Sequence, residues 1–457
     1  MFKELQGDKC ILNMVPEYPI PRYTSYPTAP HFENSINSKI YSSWLNNVKP
    51  TENLSLYIHI PFCNSLCYFC GCHTTATKKY EPVNRYVNFL IKEIHLIRSK
   101  INFIPKVSHI HFGGGTPSIL KPKDLKLIMD TINKKFNVNN KCEIAMEVDP
   151  RFFKIDLIKV LKKYKFTRIS IGVQDFSLIV QKNINRMQSF KSTKNLINAL
   201  KDNGIKNINI DLMYGLPYQS IQSFLLTLNK VVSLKPDRIS IFGYAHVPWM
   251  KKRQNLIKGD ILRNKERLQL YNLTSDYLKK NKYVPIGIDH YARYNSSIIK
   301  KIEKKKLTRN FQGYSEDNSK VLLGFGSSSI SSMPEGYVQN YSNVLEYFTS
   351  IKKNKIPIYR GYEFKNEDKI YGEIINNLMC YLNVNLNKIK KKFNLEKKHN
   401  FLFYELLKIK PFIDEGFVKL NNGILTIHPK ARPLTRTICS SFDQFFKESK
   451  NKYSLGI

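Results

Sequence analysis

From Leu54 onward one pattern recurs six times: a short run rich in β-branched residues, then a stretch with the apolar spacing of an amphipathic helix. The runs are LSLYIHI, SHIHFGG, EIAMEV, RISIGVQ, NINIDLMYG and RISIFGYA. Helical periodicity is clear over 83–98, 123–136 and 192–203, the last closed by Gly204 in the cap position. Strands joined by helical crossovers pair in parallel, so the pattern predicts an α/β fold: a partial parallel barrel of six βα units. Such barrels carry their chemistry at the carboxyl ends of the strands. Every unusual motif of this chain falls there, in order CNSLCYFCGC, GGGTP, EVDP, GVQDF, DLMYGLP and GYAHVP.

At 457 residues the chain can bury a large core and form one big domain with a smaller one. Residues 1–49, with the Pro-rich and aromatic PRYTSYPTAPHF, read as an arm over the barrel mouth, and 50–300 as the barrel. Residues 301–367 read as a linker and barrel-closing segment with a Gly/Ser-rich link at Gly324 to Ser332. Residues 368–457 predict a small, mainly helical, winged-helix-like domain with a hairpin, FVKLNNGILTI, turning at Asn421-Asn422-Gly423. No signal-like or membrane-spanning apolar run is present, which predicts a cytoplasmic protein. The net charge of +37 comes mainly from lysine spread along the chain, as in KKIEKKK and KIKKK. These runs read as solvated faces, and no nucleic-acid partner is expected.

Four of the eight cysteines, Cys63, Cys67, Cys70 and Cys72, fall within ten residues. Three thiolates spaced by four and three do not close a tetrahedral zinc site by themselves, whereas they can hold three corners of a cubane iron–sulfur cluster and leave one iron open. Spacing alone leaves the ligation of Cys72 open, because a loop around Gly71 need not be extended. A fourth ligand would shut the open iron, so Cys72 is expected beside the cluster and not on it. Cys10, Cys142, Cys380 and Cys439 are scattered and read as free thiols.

The Gly113-Gly114-Gly115-Thr116 turn offers backbone that a ligand can approach closely. Glu147, Gln174, Arg186 and Asp211 would bring carboxylate, amide and guanidinium groups to the mouth, with Arg186 suited to a carboxylate. Asp149 and Asp175 also read as simple turn formers. Tyr57, His59 and Phe69 flank the cysteines, and His59 is equally readable as a satisfied core histidine. His109, His111, His246 and His290 lack metal-ligand spacing.

The cysteine spacing resembles the radical S-adenosylmethionine superfamily. The ordered set YIHIPFCNSLCYFCGC, HFGGGTP, EVDPR, GVQDF, NRMQ, NIDLMYGLP, GYAHVP, GIDHYAR and RNFQGY resembles one of its families, oxygen-independent coproporphyrinogen III oxidase. The resemblance implies a [4Fe–4S] cluster on Cys63, Cys67 and Cys70, with Cys72 a non-ligand. It implies one or two S-adenosylmethionine molecules, the first held by Tyr57, Gly114, Glu147 and Ile330. A second would be held by Phe69, Gly115, Thr116, Gln174, Arg186, Asp211 and Ala245. Tyr57, His59, Cys72 and Gln312 are the residues expected at the catalytic centre. The implied reaction converts two propionates of coproporphyrinogen III to vinyl groups through a 5'-deoxyadenosyl radical, giving protoporphyrinogen IX for haem biosynthesis. A monomer served by an unidentified reductase is expected. The sister group of haem chaperones is similar but usually lacks the fourth cysteine and the PRYTSYPT arm, so Cys72 and Arg22 to Thr28 favour the oxidase. A nucleic-acid-modifying radical enzyme would want an RNA-binding appendage or a second cluster motif, and neither is visible.

Overall fold

The computed structural model describes residues 7–16, 18–396 and 401–447. Six parallel strands lie side by side in chain order: β1 (Asn53–Ile60), β2 (Lys106–Gly114), β3 (Asn137–Val148), β4 (Arg168–Gln174), β5 (Asn207–Tyr214) and β6 (Arg238–Gly243). All six runs read from the sequence are therefore strands. Alternation sets which way each faces. Leu54, Leu56, Ile58 and Ile60 of β1 are at most 1% exposed, within the cluster that includes the helix Glu81–Arg98. Ser55, Tyr57 and His59 take the opposite face, in register with His109, His111 and Gly113 of β2. The same alternation puts Glu147, Ser170, Asp211 and Ser240 on that inner face, giving the barrel a polar lumen inside an apolar shell. Cutting a fully buried Leu54 to Ala costs about 2–5 kcal/mol.

A seventh parallel strand, β7 (Val321–Phe325), pairs with the free edge of β1. Beyond it Ile330–Ser332, Gly336–Asn340 and Ile358–Glu363 continue the sheet antiparallel, and beyond β6 come His290–Arg293 and Tyr283–Ile286. The expected link at Gly324 to Ser332 is thus corrected: it is the end of β7 and the hairpin that follows. Gly324 is small because a Cβ there would stand 2.7 Å from the Ile330 carbonyl oxygen. Glu93, fully buried on the helix Glu81–Arg98, locks this segment by accepting from Gly326 N at 2.7 Å, Asn340 Nδ2 at 2.6 Å and the Tyr347 hydroxyl at 2.7 Å.

The arm is also corrected. The helix Ser38–Asn46, capped by the Asn37 side chain, buries Tyr41, Trp44 and Leu45 in the barrel core. Ile20, Tyr23 and Tyr26 instead belong to the core of the C-terminal unit, where Arg436 donates to the carbonyls of Ile20 and Pro21 and the Tyr23 hydroxyl donates to Asp443. At the mouth, Arg22 Nη2 donates to Gly243 O, at the end of β6, at 2.8 Å. The C-terminal unit runs helix (Asn366–Tyr381), strand (Asn383–Asn385), two helices (Leu386–Lys392, Phe403–Asp414), then strands Val418–Asn421 and Ile424–Ile427. The hairpin turns where expected, with Asn422 and Gly423 at φ +49° and +72°. Among the described residues no helix is long and apolar enough to cross a membrane.

Candidate active site

The cysteine loop leaves β1 and folds back on itself. Phe62–Cys63 pairs with Thr75–Ala76, and Gly115 N and Thr116 N donate to Ile60 O and Phe62 O, both at 2.8 Å. This close approach demands glycine: a Cβ on Gly115 would lie 2.7 Å from Phe62 O, and Gly114, at φ +113°, would drive one into the His59 ring. The result is a cavity of about 170 Å³ lined by Cys63, Cys67, Cys70 and Cys72. On its other walls stand Gly114, Gly115, Thr116, Phe69 and Glu147, with Gln174, Arg186 and Asp211 further round. Five strand-and-loop segments, from β1 to β5, meet here because each runs to the same rim.

The sulfurs are surrounded by donors. Cys63 Sγ takes the Thr116 hydroxyl at 3.2 Å and lies 3.2 Å from Thr74 Oγ1. Cys67 Sγ receives two guanidinium groups, Arg151 Nη2 and Arg186 Nη1, each at 3.3 Å. Cys70 Sγ receives the backbone N–H of Cys72 at 3.4 Å. Asp149 fixes both arginines, Arg151 through Nε at 3.0 Å and Nη2 at 2.6 Å, and Arg186 through Nη1 at 3.2 Å. Burial by itself would raise the Asp149 carboxyl, but Arg186 and Arg151 outweigh it and hold it below its ordinary range. Hydrogen bonding from Cys72, set against burial, draws the Cys70 thiol down to about 6, and the same bond pushes Cys72 up. Burial raises Cys63, with the two threonine hydroxyls pulling back.

This donor set tests the fit of an iron–sulfur group. Two guanidiniums converge on the Cys67 sulfur, an arrangement suited to offset the charge such a group would bring. Among the described residues no three of Cys, His, Asp or Glu close round a single ion, so the cysteines form a wall and not a closed mononuclear site. Cys63, Cys67 and Cys70 fit as the holders of a [4Fe–4S] cluster, with Cys72 as donor to one of them.

The other expected residues divide. Glu147 reaches His111 Nε2 at 3.0 Å through one oxygen and accepts from Gly114 N at 3.2 Å through the other. Asp211 accepts from Ser170 Oγ at 2.8 Å and Asn209 Nδ2 at 2.7 Å, and burial raises its carboxyl. Gln174 sits at φ +70° beside a register break between β4 and β5, a strained left-handed position that a non-glycine residue rarely takes. Arg186, read as a fork for a ligand carboxylate, spends Nη1 on Cys67 and Asp149 and Nη2 on Gly172 O at 2.6 Å.

Tyr57 and His59 stand behind the cavity wall. The Tyr57 hydroxyl lies 3.1 Å from His59 Nδ1, while His59 Nε2 lies 3.3 Å from His73 O and 3.2 Å from Ser328 Oγ. Burial pushes His59 down to about 4, a neutral ring that ties the cysteine loop to β1 and to the turn after β7. Ala245, Ile330 and Gln312 are not brought to the cavity: Gln312 lies at the tip of the hairpin Thr308–Asn310/Gly313–Ser315, and Ile330 is a sheet residue. The carbonyl of Ala245 instead accepts from Gln254 Nε2 at 3.0 Å, and the same amide reaches Phe69 O at 3.1 Å. Gln254, 1% exposed, thereby staples the loop after β6 to the cysteine loop. Asp149, Arg151, Thr74 and Gln254 were not singled out from sequence as site residues. EVDPR carried a signal for the first two; nothing local marks the others.

A half-closed parallel barrel with three cysteine sulfurs at its rim defines a class, and residues 57–231 match the Radical SAM superfamily. The chain is similar to "Oxygen-independent coproporphyrinogen III oxidase" of Bradyrhizobium diazoefficiens, 38% identical over 96% of this chain and 97% of the relative. It is 36% identical to the protein of that name in Helicobacter pylori strain J99, covering 95% and 96%. The solved structure of "Coproporphyrinogen III oxidase (HemN) from Escherichia coli", described as a radical SAM enzyme, aligns at 33% identity with a TM-score of 0.90 over 97% of this chain and 100% of that one. The chain belongs to the oxygen-independent coproporphyrinogen III oxidase family.

Proposed function

We propose that this protein carries out the oxygen-independent oxidative decarboxylation of two propionates of coproporphyrinogen III, yielding the vinyl groups of protoporphyrinogen IX. The observation that carries the reading is the full-length likeness to named oxidases together with a cysteine wall whose sulfurs accept from threonine, arginine and backbone donors. When bound, a [4Fe–4S] cluster with S-adenosylmethionine supplies a carbon radical able to take hydrogen from an unactivated C–H.

The chain's own residues do the rest. Cys63, Cys67 and Cys70 hold the cluster, and Thr116, Thr74, Arg151 and Arg186 offset the negative charge gathered on its sulfurs. Glu147 and the Gly114 backbone suit the amino group and carboxylate of a methionine moiety, and Tyr57 and His59 keep the cysteine loop in register with them. Asp211, with its raised carboxyl, suits ribose hydroxyls. We assign Phe69, Gly115, Thr116, Gln174, Arg186, Asp211 and Ala245 to a second S-adenosylmethionine molecule. Thr116 and Arg186 already serve sulfurs, so equilibrium dialysis decides: two molecules per chain support the assignment, one removes it. A cytoplasmic monomer with a reductase as electron source, and Gln312 near substrate entry, complete the proposal.

Anaerobic reconstitution with iron and sulfide, then reductant, S-adenosylmethionine and coproporphyrinogen III, tests it. Vinyl product is expected. Tight haem binding without product would move the assignment to the haem chaperones, which no observation here favours.

A further inference from the structure

The chain has 58 lysines and only 15 arginines, yet five arginines and no lysine line one cavity of about 50 Å³. They are Arg22, Arg267, Arg309, Arg432 and Arg436, drawn from the arm, a barrel helix, a hairpin and the C-terminal unit. One carboxylate, Asp289, lines the cavity with them. It is already committed to Arg309, at 3.2 Å, and to His290 Nδ1, at 2.6 Å. Arg22 holds Gly243 O, Arg432 holds Gly287 O, and Arg267 lies over the Tyr214 ring at 5.5 Å. These contacts orient the guanidiniums, and the cavity wall sets five of them against one carboxylate. Grouped like charges in a place poor in water oppose one another, and burial with its neighbour Arg22 draws Arg436 down to about 9. A planar fork pairs best with a carboxylate or another oxyanion.

Position narrows the choice. Tyr214 and Gly243, on the cavity wall, are the last residues of β5 and β6, so the cavity lies at the same end of the barrel as the cysteine site. Tyr214 stands three residues beyond Asp211 of the cysteine cavity, about 10 Å along one strand. Arg309 also lines a neighbouring space of about 290 Å³ walled by the rings of Tyr23, Tyr26, Tyr337 and Phe364. A charged pocket beside an aromatic wall is complementary to a pyrrole that carries an acidic side chain.

We infer that the arginine cavity binds a propionate carboxylate of the tetrapyrrole other than the one reacting, and so fixes which ring is presented to the cysteine site. This rests on the function proposed above. Two measurements separate the two claims. In the reconstituted enzyme, Arg22→Gln raises KM for coproporphyrinogen III at least tenfold with the iron–sulfur absorbance retained, and Arg22→Lys restores part of the loss. In the protein as isolated, sodium propionate raises Tm above sodium chloride at equal ionic strength, and Arg22→Gln removes the difference. A folded Arg22→Gln enzyme with the wild-type KM overturns the inference, as does a wild type that propionate protects no better than chloride. Should Arg22→Gln not fold, the wild-type propionate shift decides alone. Wild type that protects with propionate but never turns over coproporphyrinogen III refutes the proposed function and leaves the anion site standing.

Discussion

The two ends of the barrel lumen are built from similar polar residues, and they balance their charges differently. Where the strands begin, Arg168 meets Glu143 at 2.9 Å, Arg238 meets Glu316, and His109 meets Asp317 at 3.2 Å. The chain supplies both members of each pair, and Arg168 with its neighbours keeps Glu143, against its own burial, down at about 2. Where the strands end, Arg151 and Arg186 share a single Asp149 and turn their remaining donors onto Cys67. Around Cys67 two guanidiniums face one carboxylate, and sulfur accepts N–H groups that Asp149 does not. Internal pairing marks scaffold; a deficit marks the place that something outside the chain completes.

The largest effect expected from this contrast is at the deficient end. Cys67→Ser should abolish both the iron–sulfur absorbance of the reconstituted protein and its turnover; retention of a full cluster would remove Cys67 from the ligand set. Next comes the paired end, where Arg238→Met leaves Glu316 buried without its partner and should cost about 3–5 kcal/mol in a urea melt. Adding Glu316→Leu should recover most of it, since a well-packed apolar pair can match a buried ion pair. Asp149→Asn is the converse case. It should lower iron retention more than it lowers stability, because it frees the two arginines from the sulfur they serve. Equal losses in both would mean that Asp149 is scaffold like Glu316.

A fourth test uses pH. Burial raises Glu93 to about 7, its hydrogen bonds to Tyr347, Gly326 and Asn340 pulling the other way. A carboxyl raised in the folded state binds its proton more tightly there, so its contribution is present below the ordinary value of 4.5 and is lost as pH rises towards about 7. Relative to Glu93→Gln, the wild type should lose up to about 3 kcal/mol between those values and change no further above them. Parallel pH profiles for the two proteins would show that Glu93 stays ionised throughout.

Legibility in the sequence follows the same division. The six strands of the barrel were readable because alternation of apolar and polar residues is a local property, and RISIGVQ coincides with β4 from end to end. Gly324 to Ser332 reads as a link from sequence because what orders it is remote: Glu93, which fixes Gly326, lies 233 residues earlier. Asn383–Asn385 has little strand propensity and is a strand because Ile424–Ile427 pairs with it. Asp149 and Asp175 looked alike as turn formers. Asp175 is indeed internal, fully buried and shared among Ser177 N, Gln219 and Thr227. Asp149 differs only because Arg186, 37 residues on, arrives from another loop. The cysteine loop was legible from spacing, while the groups that surround its sulfurs were legible only in three dimensions.

Cys72 provides the smallest expected effect and the sharpest question about where the deficient end stops. It lines the same cavity as the three expected ligands, yet its backbone N–H points at Cys70 Sγ and its own thiol is pushed up by that neighbour. Cys72→Ser preserves a donor of similar size, so the iron–sulfur absorbance and iron content of the reconstituted protein should match wild type. Cys70→Ser should lose both. If the two variants lost iron alike, Cys72 would be a fourth ligand, the open iron would be closed, and the radical chemistry assigned to this rim would have no site.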